Sequence, residues 1–373
     1  MKKFRWIIIA ALYLVANGIV TAEDKSSADA APLMQCIVDT AARESFHGVV
    51  IAGRLGALPE AAAFNNDDIP GQPPALSTRM NIGSMSKMFT AVAISQLVDQ
   101  GVLSFGESVR TYIPGLPTEY EDITLHHLLT HTGGTGNYFR PGNMAVMRQA
   151  RSASDLLPLI TATPLQNPPG EKFSYSNSGF ALLGVVIEQV TGSSYASYIS
   201  ENIFKPASMH STGLEPDDNT AVGFTRFSRN RPPGTTPSST APLRQSSMTG
   251  VRGMAAGGGY STVGDLYRFA VALYEDRLTK PDTTKRILSP KPGTDLTTRD
   301  GDSARYGYGF YISEDGDRVG HGGGGPGING ELRVRHKSGW VIAALTNIDP
   351  PAASNLVAAL EKRLLSKCDA PDA

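Results

Sequence analysis

From Arg305 onward the sequence is a succession of short β-rich segments. "YGYGFYIS", "DRVGHG", "NGELRVRH" and "GWVIAALTNI" follow one another with only a few turn-forming residues between them. Gaps that short connect antiparallel neighbours, because a parallel crossover needs a dozen or more residues. A sheet made this way must cover its apolar faces with other elements. Two segments near the chain ends have the helical apolar spacing to do so, Pro32 to about Glu44 and about Ala352 to Leu365. "HGVVIAG", His47 to Gly53, supplies one more β-rich run just after the first of them.

Between these ends the pattern is helical. Ser84 to about Val98 puts Phe89, Val92, Ala93 and Leu97 on or near one face. "LHHLLTHTGG" closes a helix with glycines, and "NSGFALLGVVIEQVTGSSYASYISENIF" holds a helix too apolar for a surface followed by an amphipathic one. Phe227 to Gly250 is poor in apolar residues and rich in Pro, Ser and Thr, so it reads as a long loop. "STVGDLYRFAVALYE" resumes a helix, with Ser261 or Thr262 as its cap and an acid in the first turn. The expected fold class is α/β of the α+β kind: an antiparallel sheet flanked by terminal helices, with a large mostly helical region. The expected boundaries are one domain over 32–368, divided into a discontinuous α/β part (32–80 and 301–368) and a helical part (81–300).

The 373 residues carry a formal net charge of −1 and no basic block, which excludes an electrostatic case for nucleic acid. Lys2, Lys3 and Arg5 precede an apolar run that ends near Val20-Thr21-Ala22, the pattern of a signal peptide over residues 1–22. The protein is therefore expected in the periplasm or secreted, without membrane insertion after cleavage; a retained N-terminal anchor is the alternative. Cys36 and Cys368 are the only cysteines, and export would allow a disulfide between them.

Three short segments carry chemistry. In "GSMSK", Ser84 and Lys87 lie about one helical turn apart and can face one cleft, although a capping serine and a solvated lysine explain the same letters. Ser86, next to Lys87, would point away from it on a helix. "FSYSNSGF" puts Tyr175 and Asn177 just ahead of the apolar helix, and "VGHGGGGPG" puts His321 before four glycines between strands. Singly, these read as a core tyrosine, an Asn cap and a Gly-rich hairpin.

Together and in this order they resemble the signatures of the serine β-lactamase and penicillin-binding-protein superfamily, in its class C β-lactamase, D,D-peptidase and esterase-like branch. Ser-x-x-Lys is Ser84-Met85-Ser86-Lys87, Tyr-x-Asn is Tyr175-Ser176-Asn177, and Lys/His-Thr/Gly-Gly is His321-Gly322-Gly323. "LTHTGG", "NPPGEKFSYSNSGFALLG", "AAGGGYSTVGDLYRFA" and "ALTNI" extend the likeness over about Phe46 to Leu365. The resemblance implies a Ser84 nucleophile, a Lys87 proton acceptor and a Tyr175 proton relay. It implies that Asn177 orients Lys87 and a substrate carbonyl, and that the N–H groups of Ser84 and Gly324, beside Gly323, receive the oxyanion.

The third motif departs from the Lys-Thr-Gly of many β-lactamases. His321 carries less dependable charge than lysine, and Gly322 has no hydroxyl, so strong β-lactamase activity is disfavoured. Esters, amides or peptides without a strict carboxylate requirement become the expected small-molecule substrates of an exported serine hydrolase acting through an acyl-enzyme. A weakly hydrolytic β-lactamase and a non-turnover, penicillin-binding sensor are the alternatives. No cofactor is implied. His126, His127 and His131 have no carboxylate or cysteine nearby to complete a metal site and read as structural histidines at a helix end. "HGGG" is not the lipase oxyanion motif, since no Gly-x-Ser-x-Gly elbow occurs, and Gly257 to Gly259 lack the lysine of a phosphate-binding loop.

Overall fold

The computed structural model describes residues 30–228, 240–298 and 301–366, with a short pairing of Leu14–Val15 and Gly18–Ile19 ahead of them. The proposed leader over 1–22 lies outside the described residues apart from those four. Helix α1 (Ala30–Arg43) leads into the hairpin β1 (Gly48–Arg54) and β2 (Glu60–Phe64). The helical region follows, with α2 (Ser86–Asp99), α3 (Asn177–Thr191) and α4 (Val263–Tyr274) as its long members. The chain then lays down β3 (Leu296–Thr297), β4 (Ser303–Tyr306), β5 (Tyr311–Ser313), β6 (Arg318–Gly325), β7 (Ile328–Arg335) and β8 (Trp340–Thr346). Helix α5 (Ala352–Ser366) comes last among the described residues.

These strands form one eight-stranded sheet in the order β2-β1-β8-β7-β6-β5-β4-β3, antiparallel throughout. The N-terminal hairpin therefore joins the C-terminal strands through β1 and β8, from Trp340↔Arg54 to Leu345↔Val49. Both of these interior strands are buried along nearly their whole length, which explains their unbroken apolar letters. Alternate residues serve different layers. Val50 and Ala52 of β1 pack with Trp340, Ile342 and Leu356 under the terminal helices, whereas Val49 and Ile51 join the larger core with α2 and α4.

Helices α1 and α5 cover the outer face and are pinned together by Arg363, which pairs with Asp39 (3.2 Å) and donates to Thr40 Oγ1 (3.0 Å). Cys36 sits on α1, while Cys368 and with it the expected disulfide lie outside the described residues. Among the described residues no helix is long and apolar enough to cross a membrane.

Three elements differ from expectation. Helix α2 is buried all round rather than amphipathic: Met88, Phe89, Ala91, Val92, Ala93 and Ile94 are all at most 1% exposed. Phe89 meets Phe204 and Phe269 edge-on, at 5.3 and 4.8 Å between centroids, so the helix is enclosed by the others. "YGYGFYIS" is two strands, because Gly309 at φ +79° reverses the chain between β4 and β5. Part of the expected 227–250 loop pairs, Phe224–Thr225 with Arg244–Gln245; residues 229–239 lie outside the described residues.

Candidate active site

Ser84 does not begin α2. It is the middle residue of a short 3-10 turn, Gly83–Met85, immediately ahead of it. Gly83 adopts φ +51°, a left-handed conformation that glycine takes without steric cost, and its N–H donates to Asn81 Oδ1 (2.9 Å). The turn is held from the other side by the "AAGGGYS" segment: Gly258 N–H donates to the Gly83 carbonyl (3.1 Å), and Ile82 N–H to the Gly259 carbonyl (2.8 Å). Met85 is buried beneath it, leaving Ser84 partly exposed at the surface of a cavity. Ser86 is fully buried, and its Oγ accepts from Gly259 N–H (3.2 Å). That bond fixes it away from the cleft.

Lys87, in the first turn of α2, is fully buried. Its Nζ lies 3.3 Å from Ser84 Oγ and 2.8 Å from Asn177 Oδ1, and it also donates to the Ala256 carbonyl. The last acceptor is held in place through Thr90, whose hydroxyl donates to the neighbouring Ala255 carbonyl (2.7 Å). Desolvation holds the lysine pKa well below its usual value. A neutral amine has two N–H bonds and one lone pair. With both N–H bonds spent on the two carbonyl-type oxygens, the lone pair is left for the Ser84 hydroxyl. After a proton transfer the third N–H would face the same oxygen, so the site accommodates both charge states.

Tyr175 and Asn177 flank Ser176, the extended N-cap of α3. Ser176 is anchored four ways. Its Oγ accepts from Gly179 N–H (3.1 Å) and from the Thr135 hydroxyl (2.9 Å) and donates to the Gly136 carbonyl (2.6 Å), while its own N–H donates to His131 Nδ1 (3.1 Å). The extended residue lets both neighbours project toward Lys87: Asn177 by the bond above, and Tyr175 with its ring 4.8 Å below the lysine nitrogen. His131 stacks on Tyr175 at 4.2 Å between centroids, and burial keeps its pKa well below the ordinary histidine value. An uncharged His131 spares Lys87 a neighbouring cation.

The opposite wall is β6. Its pairing with β5 ends at Tyr311↔Gly320, while its pairing with β7 runs on to Gly325↔Ile328. The flank from His321 to Gly325 is thereby released from β5, and the Ser84 turn packs against it. An ideal Cβ on Gly323 would lie 1.9 Å from the Ile82 carbonyl, and one on Gly83 would lie 3.0 Å from Gly324 N. Glycine at 323 is thus what lets the strand backbone reach the turn. His321 is buried between Tyr306 Oη, 2.9 Å from Nε2, and the Gly322 carbonyl, 2.6 Å from Nδ1. A carbonyl only accepts, so Nδ1 carries a proton and the Tyr306 hydroxyl can donate to Nε2. All seven residues expected at the site surround this region: Ser84, Tyr175, Asn177, His321, Gly323 and Gly324 line one cavity of about 500 Å³, with Lys87 beneath its floor.

A family model described as beta-lactamase matches residues 35–367. The chain belongs to the beta-lactamase family. Among curated relatives, penicillin-binding protein 4* of Bacillus subtilis is 28% identical over 310 residues, 77% of this chain and 65% of the relative. A second Bacillus subtilis protein, PbpX, is 31% identical over 72% of this chain and 61% of its own length. The chain thus spans just under two thirds of either relative. The crystal structure of a penicillin binding protein from Bacillus halodurans superposes with a TM-score of 0.74 at 28% identity, covering 87% of this chain and 98% of that one. A D-stereospecific amidohydrolase from Streptomyces sp. shares the fold, with a TM-score of 0.71 at 23% identity over 91% of this chain and 99% of the other.

Within this family fold, several site features were not apparent from the sequence. Asn137 accepts from Asn177 Nδ2 (3.2 Å) and so fixes which end of that amide faces Lys87. It lies 40 residues away with no periodicity to flag it. Glu331 stands opposite Gly322 in the β6–β7 register, with its Oε2 2.5 Å from where a Cβ on Gly322 would be. The three histidines divide as structural groups. His126 Nδ1 pairs with Tyr308 Oη (2.9 Å), His127 completes the capping box of Thr124, and His131 holds Ser176. Among the described residues no group of three or more His, Cys, Asp or Glu could hold a metal ion.

Proposed function

We propose that this chain is an exported serine hydrolase that cleaves small esters, amides or peptides by acylating and then deacylating Ser84. The observation that carries this reading is the fully buried Lys87, its nitrogen 3.3 Å from Ser84 Oγ and its other N–H groups occupied by Asn177 and Ala256. Neutral Lys87 takes the Ser84 proton as Oγ forms a bond to the substrate carbonyl carbon. The N–H groups of Ser84 and Gly324 receive the oxyanion. Collapse breaks the bond to the leaving group, which takes a proton through Tyr175. Water then attacks the acyl-enzyme, giving its proton back through the Lys87/Tyr175 unit, and Ser84 is restored. Asn177 holds Lys87 and faces the substrate carbonyl.

His321 and Gly322 support ester or amide substrates over potent β-lactam hydrolysis, since neither offers a lysine ammonium or a threonine hydroxyl to a substrate carboxylate. Similarity to penicillin-binding proteins supports a second reading, a protein that is acylated by penicillin and turns over poorly. In both readings the leader directs the chain to the periplasm or outside, and 32–368 form one catalytic domain whose cleft lies between the discontinuous sheet part and the helical part.

Intact mass measurement after exposure to an activated ester, a fluorophosphonate and a penicillin separates these outcomes. The hydrolase reading expects ester turnover and a fluorophosphonate adduct, both lost in Ser84→Ala and kept in Ser86→Ala. A persistent penicillin adduct without ester turnover selects the second reading. Labelling that survives in Ser84→Ala overturns both.

A further inference from the structure

We propose that the end of the cavity enclosed by residues 137–156 and 247–257 is an apolar subsite for an unbranched hydrocarbon chain on the acyl side of the substrate. This rests on the hydrolase reading above, in which Tyr175 serves the leaving group.

Two segments supply its walls. Phe139, Met147 and Leu156 come from one and Met248, Val251 and Met254 from the other, and all six line the cavity that holds Ser84. Arg148, on the short helix Met144–Gln149, donates to the Ser247 carbonyl and ties the two segments together. Each wall begins at a group that touches the catalytic side chains. Asn137 Oδ1 accepts from Asn177 Nδ2 (3.2 Å), and the next residue, Tyr138, donates its N–H to Ser178 Oγ (3.0 Å). Met254 and Gly257 exchange backbone bonds of 2.8 and 3.0 Å around Ala256, whose carbonyl holds Lys87. Gly257 in turn lies against the nucleophile, since an ideal Cβ on it would be 3.5 Å from Ser84 N.

The chemistry of these walls favours hydrocarbon. The charged residues lining the cavity are Arg252, Arg318, Glu331 and Arg333, and the last three stand on β6 and β7. Arg252 alone belongs to the two segments, and its guanidinium is paired with Glu215 (3.1 Å). Phe139 leaves 41% of its surface in water, so a chain entering here removes apolar area from solvent on both partners. Three of the six side chains are methionines, whose unbranched, polarizable stems adapt to the shape of a flexible guest.

The side of the reaction follows from the surroundings of Tyr175 and Asn177. Tyr175 stacks on His131, which packs in turn on Tyr306, whereas Asn177 is bonded to Asn137 at the foot of the apolar wall. A leaving group that takes its proton from Tyr175 departs on the Tyr175 side. The group that stays on Ser84 is left with Asn177 and the apolar end.

The test is a series of 4-nitrophenyl esters from acetate to hexanoate, which varies the acyl chain at constant leaving group. Wild-type kcat/KM should rise about fourfold per methylene, the transfer free energy of one CH₂ expressed as a rate ratio. Phenyl acetate and 4-butylphenyl acetate place the same carbons on the leaving group and should show no comparable rise. Met147→Gln and Met254→Gln, both at partly exposed positions, should each lower the hexanoate-to-acetate ratio about tenfold, because the chain then buries an amide without a partner. A flat acyl series, a rise that both variants keep, or an equal rise with 4-butylphenyl acetate overturns the proposal. A second arm needs no catalysis: in Ser84→Ala, hexanamide should bind more tightly than acetamide by ligand-detected NMR, with the gap narrowing in Ser84→Ala/Met254→Gln. Equal binding, binding of neither, or a gap that persists in the double variant counts against the subsite. If no ester is turned over through Ser84 while the binding gap behaves as expected, the hydrolase reading fails and the apolar subsite stands.

Discussion

The two walls of the cleft are built on opposite principles. The helical wall works through side chains: Ser84 comes from the turn ahead of α2, Lys87 from the first turn of α2, and Tyr175 and Asn177 from either side of the N-cap of α3. The strand wall works through their absence, since Gly322, Gly323 and Gly324 offer backbone and let other groups approach. Damage to the first should remove chemistry while leaving the fold; damage to the second should displace a strand. The contrast gives each wall its own signature in an experiment.

The largest effect is expected on the helical wall. Lys87→Met keeps an unbranched apolar stem in a fully buried place and removes the proposed base, so ester turnover should drop about 10²–10⁴-fold. The same substitution has a thermodynamic readout. Desolvation lowers the folded-state pKa of Lys87 well below 10.5, so between that lowered value and 10.5 the unfolded chain binds a proton that the folded chain lacks. Stability of the wild type therefore gains with rising pH through this window, and the gain should vanish in Lys87→Met. Denaturant midpoints measured across the alkaline range for both proteins decide it; parallel curves would mean that Lys87 stays protonated in the fold.

On the strand wall, Gly323→Ala comes next. Its methyl would sit 1.9 Å from the Ile82 carbonyl, a backbone atom that no rotamer change can move. The strand must retreat from the Ser84 turn and take the Gly324 N–H, the proposed oxyanion donor, with it, which should lower turnover about 10²–10³-fold. Gly325→Ala is the matched control, because its Cβ would meet only Ile328 Cδ1 at 3.8 Å. A Gly325→Ala loss as large as that of Gly323→Ala would show that glycine along β6 serves flexibility rather than close approach.

The same division decides what could be read from the letters. The helical wall was legible because its chemistry demands particular side chains at fixed offsets, Ser84 to Lys87 and Tyr175 to Asn177, and the sheet was legible from the run of strands after Arg305. The 3-10 turn under Ser84 was not, since it depends on Gly83 at φ +51° braced by Gly258 and Gly259, about 175 positions away in the chain. Ser86 could be set aside by helical geometry alone, yet the bond that holds it is to Gly259, from the same distant segment. The all-round burial of α2 escaped its moderate periodicity, because enclosure is a property of the neighbours. On the strand wall the letters gave glycines and could not say what stands behind them. Glu331 reaches Gly322 only through the register of β6 and β7.

The smallest predicted effect probes the histidine of the strand wall. His321 Nδ1 faces the Gly322 carbonyl, so the proton sits there, and the buried Tyr306 hydroxyl is left to donate to Nε2. Tyr306→Phe removes that donor without changing the packing of the ring against Tyr311, 5.0 Å away. Unfolding free energy should fall by about 1–3 kcal/mol, the cost of orphaning a buried acceptor, with only a modest change in ester turnover. The loss should be measured at mildly acidic and mildly alkaline pH, since the Nδ1–Gly322 geometry makes Nε2 an acceptor from Tyr306. A loss that deepens on acidification would mean that His321 becomes a cation with Tyr306 accepting from it. In that event the wall offers a substrate carboxylate positive charge after all, and the contrast between a wall of side chains and a wall of backbone would need to be redrawn around His321.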